Sequence, residues 1–332
     1  MNRPAQPPPA NPSEQPRFPA WLPFAASLVL VAGVVAAMIW WPRGGPSEVA
    51  ALPPEPGLVD RVESLYNDIY LYRMNNGYFR LTFGAERLRY TESVVNPEDE
   101  LELPVFYTQS MTIGLAYADR LETAAIIGLG GGRTAWYIHK SVPGLQFTAV
   151  ELDPAVANIA DRYFRVRREE NFAIEVRDGR VHLARNDDTF DLILVDAYRG
   201  PFVPFHLLTK EFYELVAERL NPGGVAVQNV EPTTMLFDSA VATIQAAFDH
   251  TVFFQGQGNI IIVAYNGPEK DEATVQRLAA ERQAEYGFRY DLTQILTRRF
   301  QPEWDETTEP LTDDFAPVEF LKAIERHNER QT

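Results

Sequence analysis

The chain has 332 residues, 45% of them hydrophobic and 23% charged, with 46 acids against 30 bases and a net charge of −16. That length allows one large domain or two small ones, and the acidic balance suits a solvated surface and argues against a nucleic-acid partner, which needs a basic face. With no cysteine, disulfides, thiolate metal sites and a cysteine nucleophile are excluded, while the redox compartment stays open.

Residues 1–18, MNRPAQPPPANPSEQPRF, are proline-rich and polar, a composition that predicts disorder. Residues 21–41, WLPFAASLVLVAGVVAAMIWW, carry no charge. As a helix they would span roughly 30 Å at about 1.5 Å per residue, which matches a bilayer core. Trp21, Trp40 and Trp41 stand at the two ends, where an aromatic belt belongs. The apolar run exceeds a usual signal-peptide core, and no A-x-A site follows it. The expectation is one uncleaved transmembrane helix over residues 19–42 and a single-pass cell-membrane location; a buried core helix is the alternative. Arg3 and Arg17 precede the span and Arg43 follows it. This bias toward a cytoplasmic amino terminus is slight, so the side of the globular part stays open.

Residues 43–57 read as a proline- and glycine-rich linker. A small β-rich domain over 58–107 is predicted next. Its IYLYRMNNGYFRLTF segment, residues 69–83, places two aromatic-rich runs around Asn75-Asn76-Gly77, a hairpin signal. AERLRYTESVV continues the strand pattern to about residue 95, and TQSMTIGLAYA, residues 108–118, has helical spacing. The main domain is expected over 108–322, with a tail at 323–332.

From residue 124 strands and helices alternate: AAIIGL, QFTAVEL, AIEVR, FDLILVDA and GVAVQNV are each followed by a helical pattern. HTVFFQG and NIIIVAYNG are two late strands joined around Gln257-Gly258. The fold class is α/β, a doubly wound Rossmann-like sheet of the S-adenosylmethionine-dependent methyltransferase type, closed by an antiparallel pair. Residues 270–332 read as largely helical and charged.

Four candidate sites end successive strands, at the edge where this architecture binds ligands. The first is Gly128, Gly130, Gly131 and Gly132. A dinucleotide fingerprint would need a glycine at 133, where Arg133 stands. The observed spacing suits an S-adenosyl ligand, although a tight structural turn would look similar. The second is Glu151, a carboxylate able to accept from ribose hydroxyls; Asp153 caps the helix that Pro154 opens. The third is Asp178-Gly179, where an aspartate can accept from an adenine amino group and the glycine lets the ring lie on the backbone; a plain Asp-Gly turn is the alternative. The fourth is Asp196, which can hold an amine and remove its proton during attack; a helix cap is the alternative. His206, ten residues on, is expected to help start a helix beside Thr209. The remaining histidines show no metal spacing, and no metal site is expected.

GLGGGRTAWYIHK, VELDPAVANIADRYF, VRDGRVHL, FDLILVDAYRGP and HLLTKEFYELVAERLNPGGVAVQNV resemble, in that order, the core of the spermidine synthases, the polyamine aminopropyltransferase family. ESLYNDIYLYR resembles that family's small amino-terminal β-domain, and LTDDFAPVEFL the tail of its membrane-linked branch. The resemblance covers roughly residues 58–322. It implies transfer of an aminopropyl group from decarboxylated S-adenosylmethionine to a polyamine such as putrescine, with no tightly bound cofactor. By motif, Asn67 and the glycine loop would meet the donor, Glu151 its ribose, Asp178 and Gly179 its adenine, and Asp196 would take the proton. Tyr107, Gln109 and Tyr198 would line the acceptor side. Three departures alter that side: Arg199 replaces a second aspartate, no acid accompanies Tyr107 and Gln109, and Arg87 stands where glutamine is common. Methyl transfer to another acceptor and a catalytically silent nucleoside-binding module are the alternative functions. Expected partners are the nucleoside donor, the amine acceptor, the lipid bilayer through residues 21–41 and a second copy of the chain as a homodimer, with no nucleic acid.

Overall fold

The computed structural model describes residues 55–84, 90–198 and 202–314. The disordered segment and membrane helix expected before residue 43, the tail from 323, Arg87 and Arg199 all lie outside these residues. Among the described residues no helix is long and apolar enough to cross a membrane.

The chain first forms an antiparallel sheet of β1 (Gly57–Glu63), β2 (Asp68–Arg73), β3 (Phe79–Phe83) and β4 (Tyr90–Val95), in that order. Alternation along β2 and β3 sends Ile69, Leu71, Phe79 and Leu81 to one buried face, as period-two patterning requires. The β2–β3 connection is the expected hairpin: Gly77 has φ +86° and Asn76 Oδ1 accepts from the Tyr78 amide. In β4 the register slips by one residue. Leu81 opposes Ser93 and Thr82 opposes Thr91, so Glu92 is an unpaired bulge residue. A bulge bends its strand and re-aims the side chain it carries.

The main sheet holds eight strands. They are β5 (Thr123–Ile127), β6 (Gln146–Glu151), β7 (Phe172–Val176), β8 (Phe190–Val195), β9 (Leu220–Val230), β10 (His250–Gln255), β11 (Ile260–Tyr265) and β12 (Arg299–Phe300). Their order is β12-β10-β11-β9-β8-β5-β6-β7. β7, β6, β5, β8 and β9 run parallel, and β11 lies antiparallel between β9 and β10. All six residues of β8, FDLILV, are buried, as expected of a strand covered on both faces. One face packs against the small sheet and against α1 (Phe106–Met111), α2 (Gly114–Tyr117), α3 (Arg133–Ser141), α4 (Pro154–Phe164), α8 (Glu272–Tyr286) and α9 (Leu292–Leu296). The other packs against α5 (Gly179–Arg185), α6 (Lys210–Glu218) and α7 (Phe237–Ala247). The strand order reverses between β5 and β8, and the crevice at that switch point opens at their carboxyl ends.

Two expectations need correction. Residues 108–118 are not one helix. α1 and α2 are separated by tight turns in which the Ile113, Leu115 and Ala116 amides each reach back three residues. There Gly114 presses on the sheet so closely that a Cβ would stand 2.6 Å from Val227 and 2.7 Å from Leu192. The segment from 270 to 314 is helical only in α8 and α9; after β12 it has no further helix or strand.

Asp191 inside β8 is a buried acid with a full set of donors. It accepts from the Glu122 and Thr123 amides, from Asn221 and from Arg120. Burial alone would push its carboxyl up, but those donors outweigh burial and hold it below the ordinary aspartate range. Asp191→Ala should lower stability by about 2–4 kcal/mol, because several buried donors lose their acceptor. The folded carboxyl is the more acidic one, so its stabilising contribution is present above the unfolded aspartate value and fades as pH falls through the folded value. Denaturant midpoints of wild type and variant at pH 7 and at pH 3 check both statements, and a variant as stable as wild type at pH 7 contradicts them.

Candidate active site

A cavity of about 820 Å³ opens at the carboxyl ends of β5, β6 and β8, with the small sheet forming part of its wall. Small-molecule sites are typically about 300–1,000 Å³. The floor is the turn from β5 into α3. Gly128, Gly130 and Gly132 have φ of +93°, +53° and +68°, a region open to glycine at little cost. They differ in surroundings. A Cβ on Gly128 would stand 2.4 Å from the Asp196 carbonyl oxygen, and one on Gly132 would meet Val166 and Leu129. Gly130 faces open space. So Gly128 lets the ends of β5 and β8 meet, Gly132 packs the turn, and Gly130 leaves room for a ligand.

Glu151 ends β6 beneath this loop. One oxygen accepts from the Leu129 and Gly130 amides at 3.0 and 3.2 Å, and the other from the Asp153 amide at 2.9 Å. Burial pushes its carboxyl up, against the pull of those three amides. Asp153 caps α4 through the Ala155 amide, with Pro154 in the first turn, as the sequence indicates. Its second oxygen accepts from the Ser64 hydroxyl, and Ser64 in turn closes the β1–β2 turn on the backbone of Asn67. This chain of bonds sets Asn67 on the cavity wall.

Asp178 is the N-cap of α5, accepting from the Val181 amide, and its other oxygen pairs with His206 Nε2 at 2.7 Å. A Cβ on Gly179 would stand 2.3 Å from Ile127. The glycine is therefore required for α5 to pack on β5, although it also borders the cavity. This packing reason stands beside the expectation that it borders a flat ring.

Asp196 follows β8 at the centre of the cavity. Asn229 Nδ2 donates to one oxygen at 2.8 Å and the Tyr107 hydroxyl to the other at 3.3 Å. The Tyr198 hydroxyl donates to the Asn229 carbonyl at 2.9 Å. Burial pushes the Asp196 carboxyl up to about 6, while the Asn229 and Tyr107 donors pull it down. Burial raises the Tyr107 and Tyr198 phenols, and the neighbouring Asp196 adds to this. Both are neutral donors at ordinary pH.

Asn67, Tyr107, Gly128, Gly130, Gly132, Glu151, Asp178, Gly179, Asp196 and Tyr198 thus come together on one cavity. Gln109 does not. Its amide donates to the Leu103 carbonyl at 2.9 Å. Two residues along a helix turn the side chain about 200° away, so Tyr107 and Gln109 on α1 cannot face the same site. Sequence reasoning also missed Glu92, Asn229 and the pairing of His206 with Asp178. Asn229 had a signal, an amide at the end of an apolar strand. Glu92 had none, because its direction depends on the β4 bulge.

A family model described as spermine/spermidine synthase domain matches residues 106–263. A polyamine aminopropyltransferase of Vibrio vulnificus is 30% identical over 277 residues, covering 80% of this chain and 91% of that protein. Among solved structures, the spermidine synthase of Thermotoga maritima aligns with a TM-score of 0.60 at 18% identity, over 74% of this chain and 84% of that one. A probable spermidine synthase of Corynebacterium glutamicum aligns at 0.59 and 20% identity, over 76% of this chain and 99% of that one. At such identities the structural likeness speaks for the fold.

The raised Asp196 carboxyl carries a stability signature. The folded form holds its proton up to about pH 6, whereas an unfolded aspartate loses it near pH 4. Stability therefore falls as pH rises through that window. Asp196→Asn removes the effect, so the variant should gain on wild type by roughly 2–3 kcal/mol between pH 4 and pH 8. Urea unfolding of both proteins at the two pH values measures this, and a pH-independent difference would contradict the burial of this carboxyl.

Proposed function

The chain belongs to the spermine/spermidine synthase family, and we propose that it is a transferase moving an aminopropyl group from decarboxylated S-adenosylmethionine to a polyamine such as putrescine. The observation that carries this reading is Asp196, positioned by Tyr107 and Asn229 at the switch point of the sheet and in backbone contact range of the glycine loop.

The chemistry asks little of the protein beyond alignment and one proton acceptor. The nitrogen of a neutral amine attacks the methylene carbon bonded to the sulfonium. The carbon–sulfur bond breaks, its electron pair stays on sulfur, and methylthioadenosine leaves as a neutral thioether. The new nitrogen cation gives up a proton, and Asp196 in its ionised form is the acceptor. Tyr107 and Asn229 donate to the Asp196 carboxylate and fix its direction. In this reading Asn67 and the open face of Gly130 border the donor. Glu151 takes the ribose hydroxyls with lone pairs left by its amide bonds, and Asp178 with His206 bounds the adenine end. The position of all these residues on the wall of one cavity supports the reading. The donor is a co-substrate, so no resident cofactor is required.

The finer placement in the membrane-linked branch rests on the resemblance of LTDDFAPVEFL and on residues 21–41, an uncharged run bounded by Trp21, Trp40 and Trp41. We infer that they anchor the domain to the cell membrane as a single span. The full chain should then stay with the membrane pellet after alkaline carbonate washing, and release into the supernatant contradicts the anchor.

The catalytic reading is tested with decarboxylated S-adenosylmethionine and putrescine as substrates of the full chain. Asp196→Asn should lower kcat by roughly 10²–10⁴-fold and leave methylthioadenosine affinity within about threefold. In the wild type, kcat/KM should fall tenfold per pH unit below about 6, where Asp196 takes up its proton. Unchanged turnover in the variant would remove Asp196 from the reaction, and transfer of a methyl group from S-adenosylmethionine instead would replace the reading.

A further inference from the structure

Glu92 is an acid that neither the fold nor the proposed proton transfer uses. It is the unpaired residue of the β4 bulge, and its side chain enters the cavity that holds Asp196 and Glu151. Next to the bulge, the Ser93 hydroxyl lies so close to the glycine loop that a Cβ on Gly131 would stand 2.3 Å away. β4 therefore packs directly on the glycine loop, which puts Glu92 beside the floor of the site. Its Oε1 is buried and has no hydrogen-bond partner among the described residues. A buried oxygen left without a donor is costly, and one facing a ligand cavity is where a donor from outside belongs. The titratable groups that face Glu92 are Asp196 from the end of β8, Glu151 from the end of β6 and Tyr107 from α1. No cation among the described residues sits in that group. The arginine of the glycine turn, Arg133, donates Nη1 to the Phe164 carbonyl; its Nε and Nη2 are buried without a partner among the described residues, and it is not among the charges that act on Glu92.

We propose that Glu92 is a substrate-binding residue whose buried oxygen receives a primary alkylammonium group of the reactants. This rests on the aminopropyl-transfer reading and assigns to this chain the extra carboxylate that the acceptor side lacks in sequence. Two sources share that chemistry, the free end of the donor's aminopropyl chain and an amine of the acceptor. Burial, with Asp196 and Glu151 adding to it, holds the Glu92 carboxyl well above the usual range. The neutral form is thereby favoured before substrate binds. When the ammonium enters, the carboxyl ionises, the proton goes to solvent, and the cation pairs with the carboxylate, so charge is conserved. The bulge and the empty acceptor oxygen thus act together: the fold leaves a buried acid without a donor, and the cationic substrate becomes the partner of its ionised form.

The test uses the full chain with decarboxylated S-adenosylmethionine, putrescine and methylthioadenosine. Glu92→Gln keeps shape and removes the charge. Its KM should rise at least tenfold for one of the two cationic substrates, with kcat changed less and with methylthioadenosine affinity, which involves no ammonium, within twofold. A rise confined to the donor assigns the site to the aminopropyl end; a rise confined to putrescine assigns it to the acceptor. Calorimetric titration of that substrate in two buffers of different ionisation enthalpy should show proton release from wild type near pH 7 and none from the variant. If the variant does not fold, Glu92→Asp replaces it, with a smaller rise in the same KM and proton release retained. Both KM values within twofold of wild type, or equal proton release from wild type and Glu92→Gln, overturn the role of Glu92 and leave aminopropyl transfer standing. A wild type that neither binds methylthioadenosine nor turns over overturns the transfer reading, and this inference falls with it.

Discussion

A carboxylate under a glycine loop holds the site in shape. Glu151 accepts from the amides of Leu129, Gly130 and Asp153, and so ties the end of β6 to the turn that leaves β5. Positive φ at Gly128, Gly130 and Gly132 shapes the turn whose Leu129 and Gly130 amides meet this carboxylate. The same turn lets the Asp196 backbone come against Gly128 with no room for a side chain. One set of backbone contacts therefore fixes the spacing of three strand ends, and the side chains there inherit their positions from it. Asp153 extends the arrangement through Ser64 to the small sheet, so both sheets are referenced to the same loop.

The second feature is a concentration of acids in a region of low polarity. Glu92, Glu151 and Asp196 all have carboxyls raised by burial, while Asp191, within the strand that Asp196 follows, is lowered. The difference lies in the donors. Asp191 has backbone amides, an asparagine and an arginine around it. Asp196 has two neutral donors, and Glu92 Oε1 has none among the described residues. Asp191 is satisfied by the fold, Asp196 and Glu92 have fewer donors, and Glu151 is raised by burial in spite of its three amides. A buried acid short of donors costs stability in the ligand-free protein, the usual opposition between a stable fold and a prepared site.

Much of this was legible in the chain. The apolar strand AAII followed at once by glycines, the acids ending VE and VD, and the Asp153-Pro154 cap are local patterns. They report local geometry, so Gly130, Glu151 and Asp196 could be placed at a sheet edge without coordinates. Other assignments failed where a local pattern has two outcomes. Tyr107 and Gln109 are near neighbours in sequence, yet α1 turns them apart, and only Tyr107 meets Asp196. Asp178-Gly179 reads as a ligand turn and does line the cavity, but the cap on α5, the pairing with His206 and the packing of Gly179 on Ile127 were not legible in the chain.

The sequence by itself determined the alternation of strands and helices, the glycine turn and the carboxylates at strand ends, because hydrophobic period, chain punctuation and capping act over a few residues. Only the tertiary structure decided that Glu92 joins Asp196 and Glu151, that Asn229 and Tyr107 hold the central carboxylate, and that Gln109 is outside. Those outcomes depend on strand register, on a one-residue bulge and on which helix face meets the sheet. A slip of a single residue reverses the direction of a side chain while leaving the composition and spacing of the chain unchanged.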